Sequence, residues 1–355
     1  MKLYPLKFKP VYQEKIWGGN RIKTHFQKDI NQDNIGESWE ISAHPNGIST
    51  VDNGTLKGTK LTELYSKYKK EIMGDTIKKH TYDKFPLLFK ILDADKKLSV
   101  QVHPGDDYAL KVEGEPGKTE MWYIIDAKPE AKLVYGLKPG TNKSQMKKAI
   151  KNGQLEKHLN RVNVKPGDTL FIPRGTIHAL EEGILLAEIQ QSSDTTYRVY
   201  DWDRLGQDGK PRELHVEKAL DVTDFDRTYD REKNVTLTHR TKDFTRTFLA
   251  ACSYFVTEKI NLKTEYNIIP GQKRFYIIMA LDGQSDIIYN QQSYSINPGD
   301  SFLFPATLDK IKIKGNSQLL KIYIPDSKKQ FLEKLGTLDF KEKQIKKLPG
   351  IQNWQ

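Results

Sequence analysis

The sequence of 355 residues has one cysteine, no long apolar run and fewer acidic than basic residues. Cys252 cannot form an internal disulfide, which favours a reducing compartment, and its apolar neighbourhood is typical of a buried structural thiol. No segment approaches the roughly 20 apolar residues that span a membrane. The N-terminus has neither the apolar core nor the cleavage site of a signal peptide. We therefore expect a cytoplasmic protein without a membrane partner.

The positive net charge has several possible meanings. Lysine and arginine number 57 against 46 acidic residues, giving +11, which is compatible with nucleic acid, an anionic membrane or small anionic substrates. The basic residues are scattered among acidic ones, with an excess near the C-terminus, and no aromatic-interleaved basic stripe is present. We expect no nucleic-acid partner, and only locally clustered cations to be functional.

The sequence pattern is dominated by short strands with Gly and Pro turns, which is typical of a sandwich or barrel. An internal repeat supports this fold class, since Val164–Pro173 recurs as Ile296–Pro305 with Pro-Gly-Asp before an apolar strand in both copies. A common turn alone would not explain the matching strand after it. We predict an all-β-dominated chain of two jelly-roll β-barrel units with a few short helices.

Several elements can be predicted individually. Lys60–Met73 has helical periodicity and a glycine stop at Gly74, and Phe85–His103 is predicted as a hairpin with its turn at Asp93–Lys97. Further helices are predicted at Asn142–Lys151 and Glu213–Val222. Further strands are predicted at Met121–Asp126, Ala131–Leu137, Leu170–Pro173, Ile184–Gln190 and Tyr197–Trp202.

The stretch Leu98–Pro104 organises the predicted site. Strand alternation directs Ser99, Gln101 and His103 to one face and the apolar residues to the other. Three polar side chains in a row need either a solvated face or a function, because unpaired polar groups inside a fold are costly.

Two later segments favour a function for this polar row. Lys118 and Glu120 share one face of a second predicted strand, and His178 follows a strand and a tight turn. One carbonyl oxygen, two imidazoles and a carboxylate together form a four-ligand set for a divalent metal. A glutamine oxygen suits harder ions, so manganese, iron and cobalt are possible on chemical grounds.

These motifs resemble the metal site of the type I mannose-6-phosphate isomerases. The resemblance lies in the Gln-x-His-Pro strand, the Gly-Lys-Thr-Glu segment and the Pro-x-Gly-x-x-His turn, in order along the chain. Further matching segments are Trp17–Gly19, Gly36–Glu40, Ser42–Pro45 and Asp194–Trp202. The ordered set covers roughly residues 12 to 220 and resembles the short bacterial form, which lacks a large helical insertion. The resemblance implies cupin-type barrels and the interconversion of mannose 6-phosphate and fructose 6-phosphate through a cis-enediolate.

The resemblance also implies residue roles. The implied metal ligands are Gln101, His103, Glu120 and His178, which would hold one ion per chain, and the resemblance implies that this ion is zinc. The implied phosphate-binding residues are Ser99 and Lys118. Arg198 matches the catalytic arginine of the family, although an ion pair with Asp194 or Asp201 is an alternative for it. Glu188, Asp194 and a metal-bound water are all candidates for the base.

The expected domains are a metal-binding catalytic unit at 1–230, a degenerate metal-free unit at 240–325 and a basic tail at 326–355, with a junction between Asp221 and Lys242. The second repeat copy is followed by no histidine, and no Gln-x-His strand precedes it.

Two other functional classes stay open from the sequence. One is an oxidative metal-dependent cupin, and the other is a non-catalytic cupin that binds sugar phosphates. The ligand set differs from the His-rich sets of oxidative cupins, and the presence of Lys118 and Arg198 favours catalysis over binding alone. The oligomeric state does not follow from the sequence.

Overall fold

The computed structural model describes residues 2–79, 83–206, 208–227 and 235–354. The chain forms two compact units. The site unit comprises Tyr12–Trp39 and Leu88–Arg231, and the second unit comprises Met1–Val11, Glu40–Leu87 and Glu232–Gln355. The sequence prediction instead assigned all of residues 1–230 to one unit. Its boundary at residue 230 lies outside the described residues.

The elements are as follows in chain order. The helices are α1 (Arg21–Phe26), α2 (Leu61–Met73), α3 (Asp106–Val112), α4 (Lys143–Lys151), α5 (Val216–Val222), α6 (Lys328–Gly336) and α7 (Glu342–Ile345), with short 3-10 segments at Gly54–Leu56, Gly74–Lys79, Leu155–His158 and Ile351–Asn353. The strands are β1 (Leu6–Lys9), β2 (Val11–Gly19), β3 (Ile35–Ile41), β4 (Ala43–His44), β5 (Gly47–Ile48), β6 (Thr50–Val51), β7 (Leu87–Ala94), β8 (Val100–Val102), β9 (Glu120–Ala127), β10 (Lys132–Leu137), β11 (Leu159–Asn163), β12 (Thr169–Ile172), β13 (His178–Leu180), β14 (Ile184–Gln191), β15 (Tyr197–Tyr200), β16 (Leu237–Arg240), β17 (Phe244–Ala251), β18 (Val256–Leu262), β19 (Glu265–Ile268), β20 (Tyr276–Tyr289), β21 (Gln292–Ile296), β22 (Ser301–Phe304) and β23 (Ile311–Tyr323). None of the helices within the described ranges has the length and apolar composition that a membrane span requires.

The site unit is built from two sheets. One has the strand order β11-β10-β13-β8-β15, and the other has the order β12-β9-β14-β7-β3-β2. Trp122, Leu133 and Leu186 belong to one buried cluster, while Val100 and Val102 pack in a second cluster with residues of α4 and α5. The alternation of β8 therefore buries its valines against these helices and leaves Gln101 on the opposite face.

The second unit is organised around a sheet with the order β16-β17-β18-β23-β20-β22-β1-β6. Residues 326–354 pack into the core of this unit, because Phe331, Leu335 and Ile345 share a buried cluster with Phe248 and Val256. The segment predicted as a basic tail is thus held by apolar burial, which is worth about 1.5–3 kcal/mol for each large side chain.

The internal repeat forms the same local structure in both units. Gly167 and Gly299 have φ angles of 89° and 83°, a conformation that glycine adopts without steric cost. The side chains of Asp168 and Asp300 each accept a hydrogen bond from the backbone N–H three residues earlier, at 2.8 and 3.0 Å. The strands that follow, β12 and β22, pair antiparallel with β9 and β20. The prediction of two barrel units related by this repeat is confirmed.

The predicted hairpin at Phe85–His103 is wrong. β7 lies between β14 and β3 in one sheet, whereas β8 lies between β13 and β15 in the other. The segment between β7 and β8 therefore crosses from one sheet to the other. Near its start, the Asp93 carboxylate forms an ion pair of 2.8 Å with Arg21. The predicted helix ending at Met73 is confirmed, and the helix predicted from Glu213 begins at Val216.

Candidate active site

The short strand β8 aligns three of the predicted residues. Gln101 lies directly opposite His178 of β13 on one side and Arg198 of β15 on the other. Directly opposite residues of neighbouring strands share a face of the sheet. Ser99 and His103 lie two residues before and two residues after Gln101, at the two ends of β8. The polar row predicted from the sequence therefore lies beside His178 and Arg198 of the adjacent strands.

Three of the four predicted metal ligands converge in the interior. The ligating atoms of His103, Glu120 and His178 lie within 4.8 Å of one another, and all three side chains are buried. Glu120 Oε1 lies 3.3 Å from His178 Nε2, and Glu120 Oε2 lies 3.6 Å from His103 Nε2. Two imidazole nitrogens thus face one carboxylate.

Backbone carbonyls fix the tautomers of both histidines. His103 Nδ1 lies 2.9 Å from the Thr195 oxygen, and His178 Nδ1 lies 2.9 Å from the Thr176 oxygen. A carbonyl oxygen only accepts, so each Nδ1 carries the proton and each Nε2 presents a lone pair towards Glu120.

Burial and charge keep these imidazoles in the metal-binding form. Burial, with repulsion from Lys118, lowers the pKa of His178 to about 3 and that of His103 well below its ordinary value. Burial and the nearby Glu188 carboxylate raise the pKa of Glu120, although Lys118 and Lys90 oppose this. Both histidines are neutral at pH 7, as a metal ligand must be.

The unsatisfied atoms of this cluster fit a divalent cation. Within the described part of the chain, His103 Nε2 and both carboxylate oxygens of Glu120 are buried and have no hydrogen-bond partner. Such atoms are costly to bury unless an ion or another group satisfies them. The Gln101 amide lies 3.3 Å from His178 Nε2, and a half-turn of this amide presents its oxygen to the same point. Gln101 can therefore supply the fourth ligand.

The predicted phosphate-binding residues lie beside the ligands. Lys118 is buried just before β9, and its Nζ lies 3.4 Å from Glu120 Oε2. Ser99 Oγ lies 3.5 Å from Gln101 Oε1. An ammonium and a hydroxyl therefore border the candidate metal site and can donate to an anionic group.

A buried lysine that the sequence analysis missed lies among the candidate catalytic carboxylates. Lys90 Nζ lies 3.4 Å from Glu37, 3.8 Å from Glu188 and 4.0 Å from Asp194. It also lies 4.5 Å from the ring centroid of Trp39. Burial would lower the pKa of Lys90, but the carboxylates outweigh it and raise that pKa, so the side chain is a cation. A lysine inside the apolar segment Leu87–Leu92 is the sequence signal that could have identified it.

Glu188 is held in a fixed position. Its Oε1 accepts a hydrogen bond of 2.9 Å from Trp122 Nε1, and the residue is buried opposite Trp122 on β14. Asp194 is more accessible, with 35% of its side chain exposed. The two candidate bases therefore share Lys90 but differ in access to solvent.

Arg198 has a donor that the described residues leave unpaired. Its Nη1 donates to the Glu213 carbonyl oxygen at 2.8 Å, while its Nε is buried without a partner among the described residues. Asp201, one of the two ion-pair partners considered from the sequence, is engaged by Arg204 at 2.8 Å and by Arg212 at 2.7 Å. Arg198, which pairs with Gln101 across the sheet, thus has a buried N–H that no group in the described part of the chain accepts.

The chain matches two family descriptions. Residues 5–154 match "Phosphomannose isomerase type I, catalytic domain", and residues 245–324 match "Mannose-6-phosphate isomerase, cupin domain". The mannose-6-phosphate isomerase ManA of Bacillus subtilis is 41% identical over 322 residues, covering 90% of this chain and 99% of the relative. The mannose-6-phosphate isomerase of Streptococcus mutans is 38% identical over 317 residues, covering 89% and 97%.

Solved structures show the same fold. The crystal structure of a Bacillus subtilis mannose 6-phosphate isomerase has a TM-score of 0.83 at 38% identity and covers 90% of this chain and 99% of that one. A putative mannosephosphate isomerase from Archaeoglobus fulgidus has a TM-score of 0.73 at 26% identity, covering 91% and 99%. The chain therefore belongs to the type I phosphomannose isomerase family, as its motifs predicted.

Proposed function

We propose that this protein is an aldose–ketose isomerase that interconverts mannose 6-phosphate and fructose 6-phosphate with one bound zinc ion. The observation that carries the proposal is the convergence of His103, Glu120 and His178, whose ligating atoms lie within 4.8 Å of one another in the interior. Within the described residues, His103 Nε2 and both Glu120 carboxylate oxygens have no hydrogen-bond partner, and the cation nearest to Glu120 is Lys118 at 3.4 Å. A buried polar cluster of this kind is stable when a cation completes it. We infer the sugar-phosphate substrate from the names of the similar enzymes, which are mannose-6-phosphate isomerases.

The ligand set agrees with zinc. His103, His178 and Glu120 supply two nitrogens and a carboxylate, which is a common catalytic zinc set, and Gln101 adds a carbonyl oxygen. The family is metal-dependent. When bound, the ion supplies Lewis-acid stabilisation to the oxygens that gain negative charge.

Glu188 is the proposed proton carrier. Isomerisation of the aldose breaks the C2–H bond and forms a C1–H bond, while the hydroxyl proton on O2 moves to O1. A single carboxylate on one side of the sugar can take the proton from C2 and return it to C1. Glu188 suits this role because Trp122 holds it in place and it is shielded from water. Asp194 is the proposed partner that keeps Lys90 near Glu188.

Arg198, Lys118 and Ser99 are proposed to act on the substrate's charges. The unpaired Nε of Arg198 supports a role in stabilising the enediolate oxygens, because a fixed donor there gains most in the transition state. Lys118 and Ser99 border the ligands and are proposed to bind the phosphate. Lysine acts on a phosphate as a point charge.

The test is metal analysis together with a coupled assay. We expect one divalent ion per chain and conversion of mannose 6-phosphate to fructose 6-phosphate that a chelator abolishes and zinc restores. Unphosphorylated mannose is the control substrate and should be converted poorly. Metal-loaded protein that binds the sugar phosphate without converting it would identify the binding protein instead. Oxygen consumption without isomerisation would identify the oxidative cupin.

A further inference from the structure

The repeat relates the candidate metal site to an equivalent place in the second unit, where the side chains differ in charge. Relative to the shared Pro-Gly-Asp turn, the strand register puts Tyr276 at the position of Glu120. The next strand puts Lys321 at the position of Glu188. A ligand carboxylate and a catalytic carboxylate are thus replaced by a phenol and an ammonium. A metal cation does not suit this arrangement, whereas an anion does.

The buried charges here form a cluster with too few carboxylates. Lys321 Nζ lies 2.6 Å from Glu258 Oε2 and donates to the Tyr266 hydroxyl at 2.7 Å. Lys334 of α6 shares the same carboxylate, at 3.5 Å from Glu258 Oε1, and donates to the Tyr323 hydroxyl at 3.2 Å. One buried carboxylate therefore serves two lysines.

A third cation and a histidine extend the cluster. Arg246 lies directly opposite His239 on β16 and β17, and Phe248 of the same face lies opposite Glu258. The Arg246 guanidinium carbon lies 5.2 Å and Lys334 Nζ lies 5.7 Å from the Phe248 ring centroid. Both cations therefore border the same aromatic ring.

Two nitrogen atoms of this cluster are orphaned. Arg246 Nε and His239 Nδ1 are buried and find no hydrogen-bond partner in the described ranges. Three cations, Arg246, Lys321 and Lys334, face the one carboxylate of Glu258. Partial burial, with repulsion from Lys321 and Arg246, lowers the pKa of Lys334, although Glu258 opposes this. Glu258 Oε2 forms an ion pair with Lys321 and also has no hydrogen-bond partner among the described residues, so what this cluster needs is negative charge to balance its three cations.

We propose that this cluster binds a tetrahedral dianion, either inorganic phosphate or the phosphate group of a monoester. The donors are Arg246 Nε, His239 Nδ1 and Lys334 Nζ. A dianion would balance the two excess positive charges and accept hydrogen bonds from the two nitrogens that have no partner among the described residues. Lys334 keeps 40% of its side chain exposed, which gives the anion a route from solvent. This site is separate from the candidate metal centre and does not depend on the proposed isomerase activity.

The test is calorimetric titration of the full-length protein with inorganic phosphate at pH 7 and low salt. Arg246→Gln and Lys334→Gln should each weaken phosphate binding about tenfold to hundredfold, the range for hydrogen bonds to charged groups. Lys329→Gln, which removes an exposed lysine from the same helix, is the matched control and should leave binding unchanged. Circular dichroism and thermal unfolding should verify that each variant is folded.

A second titration, with phenyl phosphate, distinguishes the two sources of the dianion. Binding of phenyl phosphate that Arg246→Gln weakens would identify a monoester site, and binding of inorganic phosphate alone would identify a closed phosphate site. The proposal is overturned if Arg246→Gln and Lys334→Gln bind both anions as the wild type does, or if Lys329→Gln weakens binding equally. Phosphate bound at the candidate active site would be unaffected by either cluster variant, so failure here leaves the isomerase proposal untouched.

Discussion

Replacing Lys90 by methionine should destabilise the site unit strongly, because it leaves buried carboxylates without their cation. Lys90 is 3% exposed and lies 3.4 Å from Glu37. Burial alone would raise the pKa of Glu37, but Lys90 and Lys15 lower it from 4.5 to about 2. That difference corresponds to about 3 kcal/mol of stabilisation. Removal of one partner from a buried pair costs about 3–5 kcal/mol. We therefore predict that the free energy of unfolding falls by about 3–5 kcal/mol at pH 7.

The loss of unfolding free energy in Lys90→Met should become smaller as the pH falls. A carboxyl whose pKa is depressed by folding contributes stability that is present above its unfolded value and is lost as pH falls through the folded value. For Glu37 this window runs from 4.5 down to about 2. The stability difference between Lys90→Met and the wild type should therefore be complete above about pH 5 and shrink towards pH 2.

Urea unfolding followed by tryptophan fluorescence, with a chelator present, measures this difference at pH 7 and pH 3.5. Lys15→Met is the matched control, since Lys15 pairs with the same Glu37 carboxylate at 3.7 Å but keeps 34% of its side chain exposed. A surface partner of this kind should cost at most about 1 kcal/mol. Equal losses for the two variants, or a loss that does not change with pH, would show that Lys90 is not the cation that keeps Glu37 ionised.

Three further substitutions separate the proposed roles. Arg198→Ala should lower kcat and kcat/KM about a hundredfold to a thousandfold with KM and metal content nearly unchanged, and a pure KM effect would make it a binding residue. Lys118→Ala should weaken binding of mannose 6-phosphate about tenfold to hundredfold with little effect on mannose, whereas equal losses would assign it to the reacting carbons. Glu188→Gln should lower turnover by about a hundredfold to ten-thousandfold while retaining metal and fold, and full turnover would exclude it as the proton carrier.

The sequence predicted features that depend on local spacing. Period-2 alternation correctly put Ser99, Gln101 and His103 on one face, and the Pro-Gly-Asp repeat correctly related β12 to β22. These features follow from the backbone itself, because a strand alternates and a turn fixes the residues beside it.

The sequence did not predict features that depend on contacts between segments far apart in the chain. The hairpin prediction failed because the chain changes sheets between β7 and β8, and no local turn signal encodes that crossing. Lys90 was missed because its partners Glu37 and Asp194 come from segments far away in the sequence. The packing of residues 40–87 with the C-terminal part of the chain is likewise a long-range property.

We propose that His103, Glu120 and His178 hold the metal on which isomerase activity depends. The most direct test of this proposal is parallel measurement of bound metal by mass spectrometry and of isomerase activity in His178→Ala, with His158→Ala as the control. His158 lies in the same unit but contacts Thr141 at 3.2 Å instead of the cluster. We predict that His178→Ala loses metal and activity together while His158→Ala retains both. A folded His178→Ala protein that keeps one tightly bound ion per chain, or keeps activity without it, would exclude His178 as a ligand of the catalytic metal.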